Sequence, residues 1–293
     1  MPQPLAASRA ELRSGGSSGG SPVLKTLLYA VLALIAVVQV FPLLWLAVFS
    51  LKDTQEIFTK SPLSLPASPK WENYEKVWTE GNIGQYFFNS VWYTVVAVAA
   101  TVLLASLVTF ALTRMKWGWK KPVLGLFMVG IMIPIHSTLI PLFQMFMKAN
   151  LTDHPLSIIL TYTAFNLPLT IMILLGFYET LPREVEEAAV MDGCSVNRIF
   201  FQIVLPMTAS VVATTVIINM IYNWNEFVFV NTFISTDSLK TLTVGIQNFI
   251  GQYSADWGAI GATLMISILP ILIAFFALSN QIVEGMTAGS VKG

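Results

Sequence analysis

Histidine and cysteine, the residues most used for metal and redox chemistry, are scarce in this sequence and stand in no motif that would use them. His136 and His154 are the only histidines and form no HExxH pair. Cys194 is the only cysteine, which excludes an internal disulfide and a thiolate metal cluster. Gly125 and Gly130 have the glycine spacing of a phosphate loop, but Ile131 stands where lysine is required. The remaining chemistry is that of hydrogen bonding. Tyr162, Asn166, Tyr222, Asn223, Trp224, Asn225 and Glu226 bring amides, hydroxyls, aromatic faces and one carboxylate into two otherwise apolar stretches. Such groups are costly at membrane depth unless they face a cavity or a partner, so they mark a candidate path for a polar solute. Each also has a plainer use: as interhelical glue, as a partner for freed backbone (Asn223, Asn225), or at an outer interface (Glu226).

The elements that must position these groups are membrane helices. Hydrophobic residues make up 55% of 293 positions and charged residues 11%, against the roughly quarter expected of a soluble domain. Mean hydropathy is +0.69. Net charge is zero, and the basic stretch 114–121 with its two tryptophans reads as an interface anchor, so nucleic acid is not implied as a partner. A bilayer core needs about 20 helical residues. Six segments meet that length: 26–50, 85–112, 122–147, 156–178, 206–231 and 258–283. Pro134 and Pro141 should kink or break the third, with 133–141 not regular helix; Asn166 and Pro168 make a polar, bent point in the fourth. Residues 1–25 form an expected flexible tail, 26–283 the membrane domain, and 284–293 a second tail. One side of the bilayer would collect ten basic residues and the other six, which predicts cytoplasmic N and C termini. Methionines 128, 132, 145 and 147 read as packing residues, and His136 as a hydrogen-bonded loop residue.

The stretch 179–206 is too patterned for a simple connector. Pro182 precedes Glu184, Glu186 and Glu187, acids placed where a helix dipole favours them. Ala188 and Ala189 continue the helix, Gly193 suits a positive φ, and Ser195 is a candidate N-cap for a second helix over 196–204 before Pro206 opens the fifth span. Glu187-Ala188-Ala189, Asp192-Gly193 and Ile203, Leu205 and Pro206 stand at fixed spacing.

That spacing resembles the EAA loop of binding-protein-dependent ABC importer permeases. Ser50-Leu51-Lys52, Glu56-Ile57-Phe58, Asn73-Tyr74, Trp224-Asn225-Glu226-Phe227 and the tail 285–293 resemble the carbohydrate-uptake branch, in particular the smaller-subunit type of the maltose permease. The resemblance runs from about Lys25 to the end; the Ser/Gly-rich stretch before it has no counterpart. It implies an all-α integral membrane chain with the type I ABC importer permease fold and six transmembrane helices. It implies that Glu187, Ala188, Ala189, Asp192, Gly193, Ile203, Leu205 and Pro206 couple to an ATPase, and that Gly289, Lys292 and Gly293 touch it. The implied partners are a homologous second permease, two cytoplasmic ATPase subunits, an extracytoplasmic solute-binding protein and a sugar. This chain would carry no cofactor, ATP and Mg being held by the ATPase, and would lie in a bacterial or archaeal inner or plasma membrane. A polyamine, phosphonate or peptide cargo, an ion-coupled carrier, and a non-transporting scaffold remain the alternatives.

Overall fold

The computed structural model describes residues 22–251 and 255–288, with side chains described as far as 279. Helices account for the architecture, and among the described residues there is only an isolated bridge between Ile250 and Ala255. The chain runs α1 (Pro22–Phe49), α2 (Thr54–Thr59), α3 (Glu72–Thr79), α4 (Ile83–Arg114), α5 (Lys120–Met132), α6 (Leu139–Lys148), α7 (Pro155–Tyr178) and α8 (Arg183–Met191). It continues through α9 (Val196–Ile199), a π turn over Phe200–Val204, α10 (Leu205–Met207), α11 (Ala209–Trp224), α12 (Val228–Phe233), α13 (Leu242–Gly245) and α14 (Trp257–Ala288).

Four helices, α1, α4, α7 and α14, are long and apolar enough to cross a membrane by themselves. Two more spans arise only if bent pairs are each counted as one. The pair 120–132 and 135–148 bends by 96°, and the pair 196–207 and 209–224 by 76°. The first break falls at Pro134. Residues 135–138 form a 3-10 turn, and Pro141 lies inside the first turn of α6, where its missing N–H costs no bond. Pro134 alone therefore breaks the segment, contrary to the expectation for both prolines. Pro168 is likewise taken into an uninterrupted α7. The fifth segment is shorter than expected: Pro206 sits in α10, the bend is at Thr208, and helix resumes at Ala209 and stops at Trp224. Helix also extends beyond two sequence boundaries, from Pro22 at one end and to Ala288 at the other.

The centre of the bundle is α4 against α7, with α11 and α14 beside them. The buried face of α4 is built from small and hydroxylated residues, among them Ser90, Thr94, Ala97, Thr101, Ala105, Thr109 and Thr113. Spacings of three and four put these on one stripe, so two helix backbones approach closely. Each hydroxyl needs a partner away from water. Thr101 donates to the Ala97 carbonyl (2.7 Å) and Thr161 on α7 to the Ser157 carbonyl (2.7 Å). By contrast α1 buries no residue along its length, as an apolar helix facing lipid should not.

Side-chain staples fix one end of the bundle. Asn89 donates to the carbonyls of Ser238 and Lys240 (2.8 Å each), Tyr93 to that of Leu239 (2.9 Å), and Tyr86 to the Asp237 carboxylate (2.7 Å). Asp153, at φ +56°, accepts from the Ser235 and Thr236 amides and from the Thr236 hydroxyl (2.9, 2.8 and 2.6 Å). His154 caps α7 by accepting from the Leu156 amide at 3.2 Å.

Candidate functional site

Two regions carry the residues singled out by their chemistry. The first is an open cavity of about 540 Å³ between α7, the end of α11 and α12. Tyr162, Asn166, Tyr222, Asn223, Asn225 and Glu226 all line it. Trp224 does not. A step of one residue turns a helix by roughly 100°, and Trp224 points to the opposite side. There its Nε1 donates to the Ser267 carbonyl (2.9 Å) and its ring meets Phe87 edge-on.

Within the cavity the polar groups form rungs between α7 and the stretch from α11 into its connection with α12. Tyr162 donates to Glu226 Oε2 (3.2 Å), and Asn166 Nδ2 to Asn223 Oδ1 (2.7 Å). One turn deeper, Asn219 Nδ2 donates to the Thr170 hydroxyl (3.0 Å). Glu226 has a structural task as well. Its carboxylate accepts from the Phe229 and Val230 amides (2.8 and 3.3 Å), which neutralises orphan donors at the start of α12. Asn225 donates to the Ile221 carbonyl at 2.8 Å, its plainer use as a backbone partner. Asn223 Nδ2 is buried and has no protein partner. A donor left in that state costs about 1–3 kcal/mol. Aromatic faces complete the lining: Phe165 stacks on Phe229 (5.8 Å between ring centres), and so does His136 (6.1 Å). His136, read from sequence as a hydrogen-bonded loop residue, thus lies on the cavity wall. Beyond Asn166 and Tyr222 a smaller space of about 170 Å³ continues between α5 and α7. Gly130 lets α5 close there, since a Cβ at that position would meet Pro168 Cγ at 3.0 Å.

The second region is the helix–turn–helix over 183–207. Helix α8 ends in a Schellman arrangement: the Cys194 amide reaches the Ala189 carbonyl and the Gly193 amide the Val190 carbonyl, both at 3.0 Å. Gly193 supplies the required left-handed residue, at φ +78°. The spacing from Ala189 to Gly193 therefore has a geometric cause. Ser195 accepts from the Arg198 amide (3.4 Å) and starts α9 as an N-cap. Ala189 is buried with Ile199, Phe200 and Val204 against Phe110, Leu112 and Tyr178. Glu187, Ala188, Asp192 and Gly193 face outward, while Ile203 and Leu205 are half-buried. The exposed edge is apolar: Val190, Val196 and, above all, Met191, which is 86% exposed. Pro206 is exposed on α10 and lines an apolar groove with Val98, Val102 and Ala209.

Sequence reasoning passed over the acid that turns inward. Glu186 Oε1 lies 2.7 Å from Nε of Arg114, the last residue of α4, and the two side chains are only 14% and 7% exposed. The guanidinium also reaches the Leu181 carbonyl (3.3 Å). Arg114 had been legible only as part of a basic anchor. Thr170 and Asn219 were equally silent, because single polar residues in apolar runs give no sign of facing each other. Gly289, Lys292 and Gly293 lie outside the described residues.

Comparison with known proteins bears on both regions. Residues 110–286 match the family described as binding-protein-dependent transport system inner membrane component, which takes in the entire 183–207 unit and the cavity. The chain belongs to that family. The diacetylchitobiose uptake system permease protein NgcG of Streptomyces coelicolor is 33% identical over 90% of this chain and 88% of its own length. The sulfoquinovosyl glycerol transport system permease protein SmoH of Agrobacterium fabrum is 32% identical over 92% of this chain and 94% of its own. A solved bacterial ABC transporter involved in import of the acidic polysaccharide alginate includes a chain that superposes with a TM-score of 0.77. That match covers 90% of this family member and 98% of the other chain at 18% identity, and it shows a shared fold.

Proposed function

We propose that this chain is the permease subunit of an ATP-driven importer that takes a sugar or oligosaccharide from an extracytoplasmic binding protein and passes it inward by alternating access. The observation that carries the reading is the 183–207 unit: a compact helix–turn–helix, closed by Gly193 in the left-handed region, with an apolar exposed tip. Membership in the binding-protein-dependent family and the oligosaccharide named for NgcG support it. Each bent helix pair counts as one span, giving six. The excess of basic residues on the unit's side supports a cytoplasmic location for it and for both termini.

Glu187, Ala188, Asp192 and Gly193 form the surface that enters an ATPase groove, and the buried Ala189, with Ile203, Leu205 and Pro206, holds that surface to the bundle. Two such ATPase subunits carry ATP and Mg, and this chain needs neither. Lys292 and the glycines at 289 and 293 are proposed as a further contact with the ATPase. A homologous permease closes the pathway, because the cavity against α7 and α11 is open on one side. Within it Asn166, Asn223, Asn225, Tyr162 and Tyr222 offer hydrogen bonds, and Phe165 and Phe229 offer faces to the C–H side of a sugar ring. The free energy comes from nucleotide binding that favours one of two arrangements, with no chemistry on this chain.

The test is uptake by proteoliposomes that hold this chain, its partner permease, the ATPase and the binding protein. Accumulation of radiolabelled oligosaccharide only with internal-side ATP supports the reading. Uptake driven by an ion gradient without the ATPase refutes it, and uptake of a polyamine or phosphonate in place of a sugar refutes the cargo.

A further inference from the structure

Nothing in the proposed coupling role says how a push on the tip of α8 reaches the cavity. The 183–207 unit joins the bundle through two joints that can give. On one side the short segment 179–182 leads from α7 to α8; on the other the chain breaks at Thr208, between α10 and α11. The apolar layer of Ala189 and Ile199 against Phe110 can slide, so a load on Met191 or Val190 would be partly absorbed by rotation at these joints unless a fixed link bypassed them.

Arg114 sits where a bypass would be. It closes the cytoplasm-proposed end of α4, the helix that packs along α7 and α11 and so borders the two walls of the cavity. Its guanidinium spans both sides of the first joint, pairing with Glu186 on α8 (2.7 Å) and donating to the Leu181 carbonyl in the connection (3.3 Å). The Nε–H points off the line to the Glu186 oxygen, so that contact is charge against charge and not a straight hydrogen bond. Burial makes it strong to break: removing one member of such a pair leaves an uncompensated charge away from water. The neighbouring layer is the reverse. Ser106, Thr109 and Tyr178 bury hydroxyls that make no well-aligned hydrogen bond, and Tyr178 lies beside Ser106 and, at the second joint, Thr208. Hydroxyls with open valences can exchange partners as a helix shifts, while the ion pair holds.

Resting on the coupling role proposed above, we infer that Arg114 is a positioning residue for transport: it fastens α8 to α4, so that displacement of the tip moves the cavity-lining bundle instead of being lost at Thr208. Glu186, and not its outward neighbour Glu187, is its counterpart.

The experiment uses the complete transporter in proteoliposomes and compares Arg114→Met, Glu186→Met, the double variant and Glu186→Gln. ATPase co-purification, ATP hydrolysis and sugar uptake are measured on each. Expected for Arg114→Met is co-purification near the wild-type level, because the exposed tip is untouched, with uptake per ATP hydrolysed falling about tenfold or more. The double variant should fall no further than either single one, as members of one interaction do. Glu186→Gln keeps the shape and removes only the charge; it serves if the methionine variants do not accumulate, and should lower the same ratio. A wild-type ratio in Arg114→Met, or in Glu186→Gln where it stands in, overturns the inference. So does a matching fall in hydrolysis and uptake, which marks a merely structural role. Failure of the coupling role itself looks different: the wild-type chain would then retain no ATPase at all.

Discussion

Replacing Gly193 tests whether the turn after α8 matters for its backbone conformation. Gly193 has φ +78°, and a Cβ built on it meets nothing within 4 Å. Any penalty for a larger residue is therefore conformational and not a clash. An L-residue in the left-handed region costs about 1–2 kcal/mol. A penalty of that size changes a folded-to-misfolded ratio about 5–30-fold. Gly193→Ala should fall near the lower end and Gly193→Val at or beyond the upper end, because a β-branched residue tolerates this region worst. Asparagine visits it more readily, so Gly193→Asn should lose least. The assay is titration of detergent-solubilised permease pairs with purified ATPase. Apparent affinity divides by the fraction of loops in the competent shape. The expected order of affinity is Gly, Asn, Ala, Val, with normal amounts of each variant in the membrane. Equal affinity for Gly193→Val and wild type refutes the argument, as does an asparagine variant no better than valine.

Other outcomes follow from the same geometry. Ala189→Leu forces a larger side chain into the packed layer with Ile199 and Phe110 and should cost about 1–3 kcal/mol, read as a lower thermal midpoint of the purified transporter. Asn166→Leu strips the bond to Asn223 and orphans that amide, so ATP-driven uptake should fall while ATPase co-purification stays normal. Trp224→Phe should leave cargo selectivity unchanged but lower stability, because the indole donates to Ser267 away from the cavity. The Asp153 carboxyl is held below its ordinary value of 3.8 by the Thr236 hydroxyl and amide and the Ser235 amide, against a smaller opposing effect of burial. Its folded value being depressed, the staple is intact above the ordinary value and is lost as pH falls through the folded one. Hydrogen exchange at Ser235 and Thr236, corrected for intrinsic rates, should show protection lost only in that acidic window, and Asp153→Ala should remove it at neutral pH.

What could be read ahead of the structure was whatever is local in sequence. The 183–207 unit is specified within a few turns by caps, a glycine and acids, so its two helices and their bend are legible, and Ser195 caps where expected. Long apolar runs gave α1, α4, α7 and α14 for the same reason. Pairing across the bundle was not legible. Tyr162, Asn166 and Thr170 recur every four residues on α7, yet only their facing partners Glu226, Asn223 and Asn219 make them rungs. Trp224 was misplaced because its polar neighbours hid the rotation of the helix. Pro141 was misjudged because a proline stops a helix only where it removes a bond that would have been made, and Pro141 lies in a first turn; Pro206, expected to open the fifth span, instead lies inside α10 ahead of the bend at Thr208. Glu186 and Glu187 are adjacent acids on a solvated helix; only the position of Arg114, far off in the chain, separates their roles.

One measurement bears most directly on the mechanical role of the α8 tip. A photo-crosslinking residue at Met191, the most exposed apolar point of the 183–207 unit, is activated in proteoliposomes that are importing sugar. The expected product joins this chain to the ATPase subunit, with a yield that changes between ATP and ADP. An adduct to the binding protein, or to lipid alone while uptake proceeds, would contradict the account.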